Sequence, residues 1–120
     1  MKIVLDTSVL MDLFERKRDV FEDCEDALEE PCSFYATQST VAELKSIAAG
    51  HGAVARAAKA CVALEGSKFS VIHSSGKADD AFLQLPKSYG VATNDKQLAA
   101  RLKEAGFTVL TQKQVGMRIA

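Results

Sequence analysis

The sequence predicts an α/β fold in which five parallel strands alternate with helices. Three observations predict it. Short apolar segments recur along the chain, and polar or glycine-containing turns bound them. The segments between them carry apolar residues at helical spacing. Each interval is also long enough for a helical crossover, and strands joined in this way form a parallel sheet with right-handed connections.

The predicted strands are short and end in polar residues. The first is the apolar run from Lys2 to Leu5, and the Asp6-Thr7-Ser8 that follows it is typical of a strand-to-helix turn. The other four strands are expected at 33–37, 69–73, 89–93 and 107–110. The aspartate at the first turn would therefore lie at the carboxyl end of a buried strand, where open α/β sheets place their sites.

Helices are predicted wherever apolar residues recur every three to four positions. They are expected at 7–15, 19–30, from Thr40 onward, at 53–65, around 81–85 and around 98–105. Thr40-Val41-Ala42-Glu43 fits a capping box, in which Thr40 begins the third helix. Pro86 is expected to break or kink the fifth helix. Residues 111–120 carry too weak a pattern for an assignment.

Length and composition favour one globular domain over residues 1–120. Apolar residues make up 48% of the chain and charged residues 26%, so neither a disordered nor a fibrous chain is expected. No apolar run approaches the length of a membrane span, and no signal peptide precedes the first strand, so a cytoplasmic protein is expected. The net charge of −1 argues against a uniformly basic surface but leaves room for local basic patches.

The cysteines do not predict a metal site. Cys24, Cys32 and Cys61 are odd in number and lack C-x-x-C spacing, and only two histidines could join them as ligands. Reduced structural thiols are therefore expected in preference to a zinc site.

Acidic residues follow four of the predicted strands. Asp6 follows the first, Glu43 the second, Asp79 and Asp80 the third, and Asp95 the fourth. Because parallel strands point the same way, these acids are expected to cluster along one edge of the sheet. Clustered carboxylates raise one another's pKa unless a cation lies between them. Carboxylates alone favour Mg²⁺ or Mn²⁺ over zinc.

Each acid also has a structural alternative. Asp6, Asp79 and Asp95 could cap helices or stabilise the positive end of a helix dipole, and Glu43 could be the reciprocal glutamate of a capping box. The joint pattern favours the metal site, because caps do not require an acid after four strands and Ser or Thr would serve as well.

Metal-assisted cleavage of a phosphodiester is the chemistry that such an edge suits. A bound metal lowers the pKa of a water and neutralises charge on the leaving oxygen, whereas bare carboxylates would repel a phosphate backbone. An activity of this kind is therefore expected to depend absolutely on metal.

Four segments, in order, resemble the PIN-domain nuclease family. They are Val4–Leu10, Val41–Leu44, Ala78–Ala81 and Ala92–Leu98, and the similarity covers essentially the whole chain. The resemblance implies a three-layer α/β/α fold and a Mg²⁺- or Mn²⁺-dependent ribonuclease that acts on single-stranded or unpaired RNA. In the mechanism expected from it, Asp6 and Asp95 hold one ion while Glu43 and Asp79 orient that ion or a second.

The resemblance also implies the residues of the site. Asp6, Glu43, Asp79 and Asp95 match the acidic metal-binding positions of the family. Asp80 is the alternative to Asp79, which fits better because the buried positions of the following helix then fall on apolar residues. Two further residues are expected to support the acids. Four basic residues are candidate phosphate contacts because they lie beside the acids in the sequence, and an exposed surface cation is the alternative for each. The supporting residues are Ser8, which stands where the family often has asparagine, and Thr93; the RNA contacts are Lys45, Lys77, Lys96 and Arg101.

Within the family, the motifs around Asp79 and Asp95 resemble the archaeal and eukaryotic branch that processes ribosomal RNA more than the toxins of toxin–antitoxin pairs. A ribosomal precursor and an antitoxin both stay open as partners, as does a second copy of the chain in a homodimer. A catalytically inactive scaffold that binds RNA or protein is a further alternative. Phosphatase and receiver domains fit poorly, since Ser8 stands where a phosphatase needs a second acid and the acid pair lies far from Asp6.

Overall fold

The structure, a computed structural model, is built around a six-stranded sheet and describes residues 1–74, 79–113 and 116–120. The strands are β1 (Lys2–Leu5), β2 (Ser33–Thr37), β3 (Ser70–Ile72), β4 (Gly90–Ala92), β5 (Thr108–Gln112) and β6 (Met117–Ile119). The helices are α1 (Thr7–Glu15), α2 (Val20–Leu28), α3 (Gln38–Ala48), α4 (Gly52–Val62), α5 (Asp79–Leu83) and α6 (Lys96–Glu104). No helix in these described ranges is long and apolar enough to cross a membrane.

The strand order across the sheet is β3-β2-β1-β4-β5-β6. The first five strands in this order run parallel, which confirms the predicted parallel sheet. The predicted count of five strands was one short, because β6 pairs antiparallel with β5 and places Ile119 opposite Leu110. This strand lies within residues 111–120, where no element was predicted, and its three residues are too few for their alternation to indicate a strand.

Helices cover both faces of the sheet, as the three-layer prediction requires. Side chains alternate along β1, so Ile3 and Leu5 pack with residues of α1 to α4. Val4, between them, packs on the opposite face with residues of α5 and α6. The sheet therefore has a hydrophobic core on each face. The polar side chains of the candidate site lie at the strand ends.

The predicted capping box of α3 is wrong. The helix begins at Gln38, and the hydroxyl of Thr37 accepts the N–H of Thr40 at 3.1 Å. Thr37 is a capping residue of the same class as Thr40, and it comes first because β2 ends there. Glu43 consequently lies in the second turn of an established helix, where it cannot return a hydrogen bond to the cap.

The fifth helix lies about two residues earlier in the chain than the range expected around 81–85. It begins at Asp79 and ends at Leu83, so Pro86 lies beyond the helix and does not kink it. Residues 77 and 78, which precede this helix, lie outside the described residues.

The two central strands, β1 and β4, form the point where the chain changes direction across the sheet. From β1 the chain adds β2 and β3 on one side, and it then returns to add β4 and β5 on the other. Open α/β sheets bind ligands in the crevice at the carboxyl ends of such strands. Asp6 is fixed at this point, because its backbone N–H donates to the carbonyl of Ala92 at 3.0 Å.

The cysteines are free thiols, as predicted. Cys61 donates to the carbonyl of Leu10 at 3.2 Å, and Cys24 to the sulfur of Met117 at 3.3 Å. Burial raises the pKa of Cys24 to about 12 and that of Cys61 to about 11. Both thiols therefore stay protonated at neutral pH and contribute to packing.

Gln112, at the end of β5, offers a test of packing. Its side-chain amide is buried, and neither Nε2 nor Oε1 has a hydrogen-bond partner among the described residues. An unpaired buried amide costs stability, so we expect Gln112→Met, which keeps the length of the side chain, to raise the free energy of unfolding by about 1 kcal/mol. Urea denaturation measures the change, with the exposed Gln97→Met as a control expected to stay within about 0.5 kcal/mol. A loss of stability in Gln112→Met would contradict this interpretation.

Candidate active site

Asp6 is held in place by hydrogen bonds to both of its carboxylate oxygens. It is the N-cap of α1, and Oδ1 accepts the N–H of Thr7 at 2.8 Å. Oδ2 accepts the hydroxyl of Thr93 at 2.7 Å. Each carboxylate oxygen has two lone-pair sites, so both oxygens keep acceptor capacity for a ligand.

Thr93 joins the ends of β1 and β4. It is fully buried, and while its hydroxyl donates to Asp6, the same oxygen accepts the N–H of Asp95 at 3.1 Å. One hydroxyl thereby fixes the Asp6 side chain and the Asp95 backbone relative to each other. The expected supporting role of Thr93 has a direct geometric basis.

The pKa of Asp6 is raised above its ordinary value of 3.8. Burial is the largest cause, and the hydrogen bonds from Thr93 and Thr7 oppose it. The carboxylates of Asp79 and Glu43 raise the pKa further, so both lie near enough for their charge to act on Asp6. Three of the four acids predicted to converge therefore share an electrostatic field at the carboxyl edge of the sheet.

Glu43 is exposed on α3. Because Thr37 caps this helix, the capping-box alternative no longer accounts for an acid at position 43. Its effect on the pKa of Asp6 is the electrostatic link between α3 and the end of β1.

Asp79 and Asp80 are adjacent but differ in their surroundings. Asp79 is half-buried and acts on the pKa of Asp6. The Asp80 side chain is 71% exposed, and its Oδ1 lies 3.5 Å from Nη2 of Arg101. Asp80 therefore forms a surface ion pair with Arg101 on α6, whereas the charge of Asp79 acts on Asp6.

Asp95 caps α6, which is the structural role that the sequence offered as the alternative to metal binding. Its Oδ1 accepts the N–H groups of Gln97 at 2.9 Å and Leu98 at 3.1 Å. It is exposed, and it is not among the charges that shift the pKa of Asp6. Its other oxygen, Oδ2, takes part in neither capping bond, so capping does not prevent Asp95 from also binding a cation.

The donor set fits a hard divalent cation by its chemistry. Across residues 1–74, 79–113 and 116–120, no three carboxylate, thiol or imidazole groups stand together as a ready-made metal cage. In the same ranges, however, no basic side chain forms an ion pair with any of the four acids, Asp6, Glu43, Asp79 and Asp95. A cation among these carboxylates would relieve the repulsion that raises the pKa of Asp6.

Comparison with known proteins identifies the family. The family model of the PIN-like domain matches residues 3–115. The chain belongs to the PIN-like domain family. No protein of curated function matches the chain by sequence.

Solved structures agree with this membership. The chain is similar to the PIN domain endonuclease Utp24, with a TM-score of 0.80 and 26% identity over 98% of this chain and 90% of that one. It is also similar to VapBC2 from Rickettsia felis, with a TM-score of 0.62 and 12% identity over 94% of this chain and 100% of that one. VapBC-1 from nontypeable Haemophilus influenzae gives a TM-score of 0.62 and 15% identity over 94% and 98%. The two VapBC likenesses show the fold alone.

Asp12 is a residue of this PIN-like domain that the sequence analysis missed. It lies on α1 and is only 7% exposed, and its Oδ2 accepts the side-chain amide of Asn94 at 3.0 Å. Nε of Arg16 lies 3.5 Å from its Oδ1. Asp12 thus joins α1 to the connection that carries Thr93 and Asp95. The sequence feature that could have identified Asp12 is that it is an acid within the otherwise apolar run from Leu10 to Phe14.

The residues predicted to contact RNA differ in their exposure and in their contacts. Lys45 on α3 and Lys96 on α6 are exposed, and Arg101 is occupied in part by its pairing with Asp80. Lys77 lies outside the described residues. Ser8 is exposed, and within the described part of the chain the hydrogen bonds to the Asp6 carboxylate come from Thr7 and Thr93.

Proposed function

We propose that this PIN-like domain is a metal-dependent endoribonuclease that hydrolyses phosphodiester bonds in single-stranded or unpaired RNA. The observation that carries the proposal is the position of Asp6 at the crevice between β1 and β4, where hydrogen bonds from Thr7 and Thr93 hold its carboxylate and the charges of Glu43 and Asp79 raise its pKa. Asp6 and Asp79 are partly buried and Glu43 is exposed. The charges of Glu43 and Asp79 raise the pKa of Asp6, and none of the three acids has a basic ion-pair partner within the described ranges. Repulsion between these carboxylates lowers the stability of the folded protein. A site that binds a metal ion and a phosphate substrate would account for such a cost, because functional sites are where folded proteins tolerate it.

Asp6, Glu43, Asp79 and Asp95 are the side chains that would hold Mg²⁺ or Mn²⁺, with Asp80 as the alternative to Asp79. When bound, the metal would supply an activated water and neutralise charge on the leaving oxygen. Thr93 and Thr7 hold the carboxylate of Asp6 in one orientation, which keeps its free lone pairs directed to a fixed point. No side chain needs to form a covalent bond to phosphorus in this mechanism.

Within this activity, we favour processing of ribosomal RNA. The motifs around Asp79 and Asp95 support it, as does a greater likeness to the endonuclease Utp24 than to the VapBC chains. A toxin ribonuclease is the second candidate, because the VapBC structures share the fold. A small-subunit ribosomal precursor would bind the processing enzyme, whereas a protein encoded beside the gene would neutralise the toxin.

The activity is tested by incubating the purified protein with structured and single-stranded RNAs, with Mn²⁺ or with a chelator. We expect cleavage of the unpaired RNA in Mn²⁺ and none in the chelator, since the acids alone repel the phosphate backbone. Equal cleavage in the chelator, or equal cleavage by Asp6→Asn, would contradict the proposal. RNA that binds but stays intact with every divalent ion would favour the inactive scaffold.

A further inference from the structure

We propose that a basic groove beside the acidic edge binds the sugar–phosphate backbone of the RNA strand to one side of the scissile phosphate. The inference rests on the proposed function and adds the path of the substrate. The groove is a cleft of about 1100 Å³ between the connection from α1 to α2, the helix α6 and the hairpin of β5 and β6. The basic side chains that line it and reach solvent are Arg16, Lys17, Lys96, Lys103, Lys113 and Arg118.

The charge of the groove is opposite to that of the protein as a whole. The chain has 15 basic and 16 acidic residues, yet among the described residues seven basic side chains and two acidic ones line the groove. Because the net charge is −1, this separation does not follow from composition. A concentrated positive field on a weakly acidic protein is typical of a surface that binds a polyanion.

The seventh basic residue, Arg18, builds the wall of the groove. Its Nη1 donates to the carbonyl of Lys113 at 2.8 Å and its Nη2 to the carbonyl of Gly116 at 3.1 Å. Its side chain is only 16% exposed and also pairs with Asp23 at 3.8 Å. Arg18 therefore fixes the β5–β6 hairpin against the start of α2, and Lys17, Lys113 and Arg118 of the groove are exposed.

The groove leads directly to the acidic edge. Asn94 and Lys96 line it, and they flank Asp95. Thr93, the preceding residue, donates to Asp6 at 2.7 Å. The three residue steps from Thr93 to Lys96 span at most about 10 Å. A strand whose phosphate lies at Asp6 is therefore within reach of the groove at Lys96.

Small side chains lie between two of the cations of the groove. On α6, Ala99 and Ala100 line the groove between Lys96 and Lys103. The cations thus flank a surface of small side chains, on which a sugar–phosphate chain can lie. Backbone contacts of this kind supply affinity without reading sequence, and they make binding depend on salt.

The test measures binding of a fluorescent, unstructured oligouridine by anisotropy in a chelator, where no cleavage occurs. The groove variant carries Lys17→Gln, Lys103→Gln and Lys113→Gln, which spare Arg18 and the four acids. The control carries Arg56→Gln, Lys59→Gln and Lys68→Gln, which remove the same charge from exposed positions that do not line the groove. Lys59 matches Lys103, because each lies in the last turn of its helix.

We expect the groove variant to bind the oligonucleotide about tenfold more weakly or worse, and the control within about twofold of the wild type. The slope of log affinity against log salt should fall by about 2 in the groove variant, because each phosphate contact of a single strand contributes about 0.7. Equal weakening of both variants would overturn the proposal. So would displacement of the RNA by an equal concentration of polyglutamate, which would indicate an acidic protein as the partner.

The groove proposal and the nuclease proposal can fail independently of each other. Groove-dependent binding by a protein that cleaves no RNA in Mn²⁺ would sustain the groove and defeat the nuclease. Metal-dependent cleavage by a groove variant that binds as tightly as the wild type would sustain the nuclease and defeat the groove. Unfolding curves for the two triple variants should coincide, since all six positions are exposed.

Discussion

Asp6→Asn is expected to lower the rate of RNA cleavage by at least about 10²–10³-fold while the protein stays folded. Asparagine keeps the size of the side chain and can still accept one hydrogen bond. The substitution removes the charge of Asp6, the residue whose pKa the charges of Glu43 and Asp79 raise. The rate is measured on single-stranded RNA in Mn²⁺, with Asp26→Asn on the exposed face of α2 as the control.

The same substitution should stabilise the protein in a way that depends on pH. The pKa of Asp6 is raised in the folded state by burial and by its acidic neighbours. The wild type therefore loses stability as the pH rises from the unfolded value of 3.8 through the raised folded value, because the folded carboxyl must ionise against these effects. Asp6→Asn avoids this loss, so its free energy of unfolding should exceed that of the wild type increasingly over that range.

Urea denaturation at a series of pH values measures this difference. The prediction would be contradicted if the difference in free energy of unfolding between Asp6→Asn and the wild type stayed constant from below pH 3.8 to neutrality. A rate loss that accompanies loss of the fold would likewise assign Asp6 to structure instead of chemistry.

Thr93→Val is the second large effect that the structure predicts. Valine keeps the volume of the buried side chain but cannot donate to Asp6 or accept the N–H of Asp95. We expect a rate loss of about 10–100-fold, as for groups that orient metal ligands, and a loss of about 1–3 kcal/mol in the free energy of unfolding. Thr93→Ser keeps the hydroxyl and should recover most of the rate.

The pH profile separates positioning by Thr93 from a general loss of structure. The Thr93 hydroxyl lowers the pKa of Asp6, so its removal should raise that pKa further. The acid limb of the profile for Thr93→Val should therefore move to higher pH than in Thr93→Ser. Equal rates and equal profiles in the two variants would rule out this role.

Much of the fold could be predicted because local sequence and topology agree. The bounds of β2 and α1 match the predicted ranges, since apolar spacing and turn residues mark both ends of each. The acids could be assigned to one edge because parallel strands share a direction. The surroundings that distinguish Asp79 from Asp80 could not be predicted, because the ion pair of Asp80 with Arg101 joins residues 21 positions apart.

The errors arose where the deciding contact is distant in sequence or where two residues of one type compete. Thr37 and Thr40 are both good caps, and only the end of β2 selects the first. β6 is held by its pairing with β5 and by Arg18, whose partner Gly116 lies 98 positions away. The basic groove could not be predicted for the same reason, because its cations are dispersed from residue 16 to residue 118.

Isothermal titration of Mn²⁺ into the RNA-free protein tests the central claim most directly. The acidic edge should bind Mn²⁺ saturably, and Asp6→Asn should weaken that binding by about tenfold or more. Binding should also raise the melting temperature of the wild type, because a ligand of the folded state stabilises it. No Mn²⁺ binding by the wild type, or equal affinity in Asp6→Asn, would contradict a metal site at the carboxyl ends of β1 and β4.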